Sequence, residues 1–169
     1  PAGTHLLLDA SSIERFLEAL DGQPPDWQVV YGAGHHDPEH DDRVFALNRE
    51  RDAQRDGKPA LSWLVTFTWA GEIGAYRQEE QGFPVALGPV FTPTAWGIVR
   101  FKPEEVPGNL VVAAEDSRLE RVEILVLMTG RLIPQESIVY DFSHEEEGRG
   151  LIMPLVRVEF VQFVRLDSQ

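Results

Sequence analysis

Residues 61–69 alternate between two classes of side chain, and this alternation constrains the fold more than any other feature of the sequence. Large apolar side chains take every second position, at Leu61, Trp63, Val65, Phe67 and Trp69. Successive side chains of a β-strand point to opposite faces of a sheet, so a period of two in β-branched and aromatic residues predicts a strand. This run is the clearest predicted strand of the chain.

Most of the chain after residue 58 also favours strands. A turn at residues 70–71 would lead into a hairpin partner at 72–79. Residues 83–91 contain two prolines, so they are at best an edge strand or an irregular segment. The remaining predicted strands are 95–101, 109–114, 119–128 (ended by Thr129 and Gly130), 137–142 and 151–166. Strands that follow one another without intervening helices favour antiparallel pairing.

The first of two predicted helices follows a capping signal. Ser11 and Glu14 have the spacing of a capping box, in which the hydroxyl accepts from a later amide and the carboxylate reaches back. Gly22 is the expected end, because glycine takes positive φ freely. The apolar face has helical spacing and consists of Ile13, Phe16, Leu17 and Leu20.

The second predicted helix begins in a histidine-rich stretch. Asp37 is the expected N-cap, with Pro38 at the first helical position, and the helix would run to about residue 56. From Asn48 onward it is nearly all charged, so this half is expected to lie on the surface or project from it. Between the two helices, residues 27–31 are expected to form a short strand.

Together these elements predict an α+β fold. Two N-terminal helices would pack on a mainly antiparallel, strongly twisted sheet or partly open β-barrel of about seven or eight strands. The helical part would cover residues 1–57 and the β-rich part 58–169. A chain of 169 residues without repeats or a linker suits one domain, so a single domain over 1–169 is expected.

Charge and composition exclude several classes of function. The net charge is −13, from 15 Lys+Arg against 28 Asp+Glu. Nucleic acids and anionic membranes attract basic surfaces, so neither is an expected partner. Without cysteine the chain has no thiol nucleophile, disulfide or zinc finger. The apolar runs fall short of the ~20 residues that a membrane helix needs, and no signal peptide is visible, so a cytoplasmic location is expected.

The candidate ligand cluster of the sequence lies at residues 34–42. It contains His35, His36 and His40 together with four carboxylates. Imidazoles and carboxylates bind zinc and similar divalent metals. In zinc-protease helices a glutamate directly follows the first of two histidines that are four residues apart. His36 and His40 have this spacing, but Asp37 stands in the place of the glutamate.

A second histidine-bearing loop at residues 143–150 would complete this site. His144 stands there beside three glutamates. The sequence thus predicts a divalent metal, zinc or similar, bound by His35, His36, His40 and His144, provided that the two loops converge. The alternatives are a solvated helix start in which the histidines have no role, and a pH-responsive patch.

Aromatic residues of the β-rich part offer a different kind of site. If the sheet closes into a barrel, Trp63, Trp69 and Trp96 would line a ligand cavity, with Tyr76, Arg77 and Arg100 as its polar groups. The alternative is that the aromatic residues form a packed core.

These observations lead to an expectation of binding rather than catalysis. No phosphate loop or nucleophile elbow is present, so the chain is expected to bind a small-molecule ligand or a protein partner. The alternative is a metal-dependent hydrolase that uses the cluster at 35–42 with His144. A third possibility is a component of a larger assembly that presents the charged helix segment 48–56.

Overall fold

The computed structural model describes residues 3–106, 110–113, 123–143 and 149–165. Over these residues the chain has a mixed α/β fold, with three α-helices and a large, mostly antiparallel sheet of ten strands that does not close. The predicted antiparallel α+β character is confirmed, with more strands than the sequence predicted and one additional short helix. No helix within these ranges is long and apolar enough to cross a membrane.

The helices are α1 (Ala10–Asp21), α2 (Trp27–Tyr31) and α3 (His40–Arg55), and 3₁₀ turns cover Gly34–His36 and Pro59–Ser62. The strands are β1 (Thr4–Leu7), β2 (Leu64–Ile73), β3 (Gly82–Gly88), β4 (Thr92–Pro93), β5 (Ile98–Val99), β6 (Lys102–Glu104), β7 (Val111–Ala113), β8 (Glu123–Leu132), β9 (Ile138–Phe142) and β10 (Gly150–Arg165).

The centre of the sheet consists of β2, β8 and β10. Strands β2 and β8 are antiparallel, from Val65 opposite Gly130 to Glu72 opposite Glu123. Strand β10 lies antiparallel on the other side of β8. Because residues opposite each other in an antiparallel pair share a face, these registers decide which side chains of the three strands lie together.

The outer strands flank this centre on both sides. The first part of β10 pairs with β9 in antiparallel and with β5 in parallel orientation, and β6 pairs with it farther along. Strand β2 pairs with β1 in parallel and with β3 in antiparallel orientation. Strand β7 pairs with β3, which gives the order β4-β5-β10-β8-β2-β3-β7.

The predicted end of a strand at Thr129 and Gly130 is wrong, because β8 continues through both residues. Gly130 lies opposite Val158, where the register of β10 shifts before Phe160. A Cβ atom on Gly130 would lie 2.0 Å from the carbonyl oxygen of Arg157. This glycine therefore permits a close backbone approach at a β-bulge instead of ending the strand.

The predicted hairpin is also placed differently. Strand β2 passes through residues 70–71 without turning, and its partner is β3 instead of residues 72–79. Strand β3 contains Pro84 but is not an edge strand, since it lies between β2 and β7. Pro84 lacks an N–H donor, but it lies beside Gly74, one residue past the end of β2, where its carbonyl oxygen accepts from the N–H of Gly74 at 2.8 Å. The strand predicted at 95–101 is reduced to β5.

Helix α1 has the predicted apolar face and the predicted end at Gly22, but a different cap. Its N-cap is Asp9, whose carboxylate accepts from the N–H of Ser12 at 2.8 Å, while the Asp9 N–H donates to the Ser12 hydroxyl. Glu14, the predicted capping partner, accepts instead from the N–H of Ala95 at 2.6 Å. The capping box is therefore formed by Asp9 and Ser12.

Residues 27–31 form helix α2 and not the predicted strand. The carboxylate of Asp26 accepts from the N–H of Val29 at 3.3 Å and provides the N-cap that a short helix needs. The indole N–H of Trp27 donates to the carbonyl oxygen of Trp96 at 2.7 Å. This contact anchors α2 next to β5.

The second half of α3 lies on the surface at Arg49, Glu50 and residues 52–54, as its charges predicted, but two of its arginines, Arg51 and Arg55, are buried. Arg55 is only 1% exposed. Its Nε and Nη2 donate to the carboxylate of Asp21 at 2.7 and 2.9 Å, and its Nη1 donates to Asp52 and Ser137, both at 2.8 Å. The hydroxyl of Tyr140 also donates to Asp21. The network links α1, α3 and β9.

Buried charge in this network shifts two pKa values. Burial raises the pKa of Tyr140, and the negative charge of Asp21 raises it further, so the hydroxyl keeps the proton that it donates. Burial acts to lower the pKa of Arg55, but hydrogen bonding to Asp21 raises it overall. Arg51, also buried, donates to the carbonyl oxygens of Asp21 and Gln23 at the end of α1.

Replacing Arg55 with methionine is expected to lower the free energy of unfolding by about 3–5 kcal/mol, because Asp21 would remain buried without its cation. Urea denaturation followed by circular dichroism measures this loss. The matched control is Arg49→Met on the exposed side of the same helix, expected to change stability by less than about 0.5 kcal/mol. Equal losses in the two variants would contradict the assigned role of the ion pair.

Candidate functional site

The predicted histidine cluster lies where α2 leads into α3. His35 and His36 belong to a 3₁₀ turn, and His40 is the first residue of α3. The predicted helix start at Asp37 is therefore wrong, since Glu39 occupies the N-cap position.

Asp37 instead holds the turn between α2 and α3. Its carboxylate accepts from Nη2 of Arg43 at 2.6 Å and from the N–H groups of Ala33 and Glu39 at 3.2 and 3.0 Å. The Nε of Arg43 also donates to the carbonyl oxygen of Val30 at 3.0 Å. Because these donors stabilise the charged form, the pKa of Asp37 is lowered to about 2, with Arg43 as the largest cause.

Four rings meet at this joint, from Tyr31, His35, His40 and Phe142. The ring centroids of His35 and His40 lie 6.4 Å apart, with the rings nearly perpendicular. Phe142, at the end of β9, stacks on His40 at 5.0 Å and meets Tyr31 edge-on at 5.2 Å. A surface cavity of about 400 Å³ is lined by residues 31–36. The fold thus brings two of the predicted metal ligands together.

The other predicted ligands complete no site within the described residues. His36 is exposed on the same turn, and His144 lies outside the described residues, two positions after Phe142 in the sequence. No group of three histidine, aspartate or glutamate side chains in the described ranges is placed to hold a metal. The Nδ1 of His40 is buried and lies 3.3 Å from Asp41 Oδ1 without hydrogen-bond geometry. The metal site stays a prediction.

The tryptophans considered as cavity lining pack in or against the core. Trp69 and Trp96 are buried. Trp63 is half-buried and stacks on His5, with ring centroids 3.9 Å apart. The packed-core alternative therefore describes these three residues.

The polar groups considered for the same cavity have other contacts. The guanidinium of Arg100 lies over the ring of Trp69, with 5.7 Å between Cζ and the ring centroid. Tyr76 meets a buried phenylalanine edge-on, and Arg77 pairs with Glu80 at 3.5 Å. Each of these three side chains therefore contacts a different residue, and they do not form one polar site.

The main candidate surface was not found by sequence analysis, and it is one face of the central sheet. On one side of β2 and β8, Val65, Phe67, Val126 and Met128 are fully buried. The opposite side, which we call the outer face, carries the alternate residues of the same strands and of β1 and β10. It consists of Leu6, Thr66, Thr68, Ala70, Leu125, Leu127, Thr129, Phe160, Gln162 and Val164.

The outer face leaves large apolar side chains in contact with solvent. Leu6 is 58% exposed, Phe160 42% and Val164 40%. The half-buried Leu125 and Leu127 of β8 lie opposite Val164 and Gln162 of β10 and connect Phe160 with Val164 in one patch. Leu6 lies on the same face, separated from Phe160 by the small, buried side chains of Thr66 and Thr129. Contiguous apolar patches mark interaction sites, whereas scattered single residues do not.

A depression of about 400 Å³ lies at one end of the outer face, between β3, β2 and β8. Small and apolar residues line most of it, among them Ala70, Ala86 and Leu125. Glu72 and Glu123 also line it, directly opposite each other in register and both exposed. Within the described part of the chain, neither carboxylate has a cation partner.

Comparisons with protein-family models, with curated proteins and with solved structures gave no match to this chain.

Asp37 is expected to titrate with a pKa of about 2. Because an unfolded aspartate titrates near 3.9, its contribution to stability is complete above about pH 4 and is lost as the pH falls through the folded pKa. NMR titration of the side-chain carboxyl signal measures the pKa. Arg43→Met removes the largest cause and is expected to raise it, while Arg49→Met leaves it in place; an unchanged pKa in Arg43→Met would refute the assignment.

Proposed function

We propose that this protein is a binding domain that recognises a protein partner through the outer face of its sheet. The observation that carries this proposal is the uncovered apolar patch around Leu6, Phe160 and Val164, which contrasts with the buried opposite side of the same strands. Burial of such a patch against a partner would stabilise the complex through the hydrophobic effect.

The position of the helices is part of this proposal. Ile13, Phe16 and Leu17 of α1 belong to the same buried cluster as Val65 and Phe67 of β2. We propose that the N-terminal helices cover this side of a strongly twisted sheet and leave the outer face free for a partner.

Charged side chains near the patch support the same function. At the end of the outer face away from the depression, Arg131 pairs with Glu159 at 2.6 Å, and Arg157 pairs with Glu105 at 3.3 Å. All four side chains are largely exposed. An apolar centre with a charged, solvated rim is the usual anatomy of a protein–protein interface.

A charge placed in the patch is expected to weaken recognition. Peptides selected from a random display library against the wild-type chain should bind Phe160→Glu at least about tenfold more weakly, because an unpaired carboxylate would be desolvated. Fluorescence anisotropy measures the affinity. Phe45→Glu is the matched control, since Phe45 is 63% exposed but lies on α3. Peptides that bind both variants as well as wild type would refute the proposed surface.

The second candidate function is a metal-dependent hydrolase. The observation that favours it is the approach of His35 and His40 beside a surface cavity, with the buried Nδ1 of His40 lacking a hydrogen bond to any described residue. His36 and His144 would supply the further ligands. A bound zinc or similar ion would lower the pKa of a water molecule and so provide the nucleophile for hydrolysis.

Isothermal titration of untagged protein with Zn²⁺ tests this candidate. Binding at one site should be lost in His40→Ala and in His144→Ala, because each removes one imidazole ligand. His5→Ala is the control, since His5 stacks on Trp63 away from the cluster. Absence of Zn²⁺ binding by the wild-type chain, or equal binding by all variants, would exclude the metal site.

A further inference from the structure

The depression at the acidic end of the outer face has the form of a slot for a long side chain. Its floor is built mostly from small residues, since Ala70 of β2 lies between Gly88 of β3 and Leu125 of β8, and Ala86 of β3 lies opposite Glu72. Small residues leave room above the sheet that larger side chains would fill. An unbranched aliphatic stem could lie on this floor and exclude water from it.

Two carboxylates at one end of the depression favour a cationic group at the tip of such a stem. Glu72 and Glu123 are a directly opposed antiparallel pair, a geometry that brings Cβ atoms to about 4.5–5.5 Å and makes like charges unfavourable. They are the charged groups among the described lining residues, and neither has a cation partner there. One cation held between the two carboxylates would relieve their repulsion and pair with both.

We infer that this depression binds a lysine or arginine side chain of the protein partner. The inference rests on the proposed function, because the depression is continuous with the outer face through Ala70 and Leu125. A lysine or arginine side chain matches the slot in both parts, with an aliphatic stem over the small residues and a cationic head between Glu72 and Glu123. The partner segment therefore carries a basic residue next to the apolar residues that cover the patch.

A charge-reversal selection tests this partner chemistry. A random peptide display library is selected in parallel against the wild-type chain and against Glu72→Lys/Glu123→Lys. The variant keeps two like charges opposite each other, so its folding is expected to resemble that of the wild type, and thermal unfolding checks this. Wild-type protein should select peptides with lysine or arginine beside apolar residues, and the variant should select aspartate or glutamate there.

Affinities of the selected peptides complete the test. Peptides selected by wild type should bind the charge-reversed variant at least about tenfold more weakly. Asp42→Lys/Glu50→Lys on α3 changes the net charge equally and should leave binding unchanged. If the reversed variant does not fold, Glu72→Gln/Glu123→Gln replaces it and should also weaken binding, with less dependence on salt.

The failures of this inference and of the proposed function are distinguishable. Peptides that need Phe160 but show no basic residue and no response to charge reversal would overturn the inference and leave the outer face as a binding surface. Peptides insensitive to Phe160→Glu would overturn both. A wild-type dimer in sedimentation equilibrium that is lost in Phe160→Glu would also overturn the inference, since the occupant would then be a second copy of this chain.

Discussion

The buried ion pair between Arg55 and Asp21 is the interaction on which the linkage of the N-terminal elements depends. Desolvation of two charges costs free energy, and their attraction offsets this cost only when their remaining hydrogen-bonding groups are also satisfied. Here the guanidinium donates twice to Asp21 and also to Asp52 and Ser137, while Tyr140 donates to the same carboxylate. The end of α1 and the end of α3 are thereby fixed to the start of β9. A fixed α3 also sets where its first turn, and so the histidine joint, lies relative to β9.

Local patterns predicted the elements whose structure is determined by neighbours in sequence, and failed where distant residues decide. The period of two placed the centre of β2, although the strand begins at Leu64 and residues 61–62 belong to the preceding 3₁₀ turn, and the helical period placed α1. The charges of the second half of α3 correctly indicated a surface segment but gave no sign that Arg51 and Arg55 are buried, because their partners in α1 and next to β9 are distant in sequence. Gly130 was predicted to end a strand, because the close approach of the Arg157 backbone is a contact between two strands that local sequence does not show.

The candidate sites divide in the same way. Proximity in sequence sufficed to predict that His35 and His40 meet, since one short turn joins them. The outer face could not be predicted, because both alternating sets of side chains in β8 and β10 are largely apolar and the pattern gives no sign of which set is uncovered. The opposition of Glu72 and Glu123 depends on the register of β2 against β8, which no local motif encodes.

The order of strands in the sheet has a consequence for synthesis of the chain. Strand β2 pairs with β8, and β8 pairs with β10, which ends at Arg165. During translation the aromatic residues of β2 therefore leave the ribosome before β8, the strand that pairs with most of β2, has been synthesised. Sheets built from such distant pairings form slowly, and their unpaired strands are prone to aggregate. The apolar side chains of β2 are thus exposed during synthesis until β8 and β10 follow. A chaperone that binds apolar strands in this interval would raise the yield of folded protein.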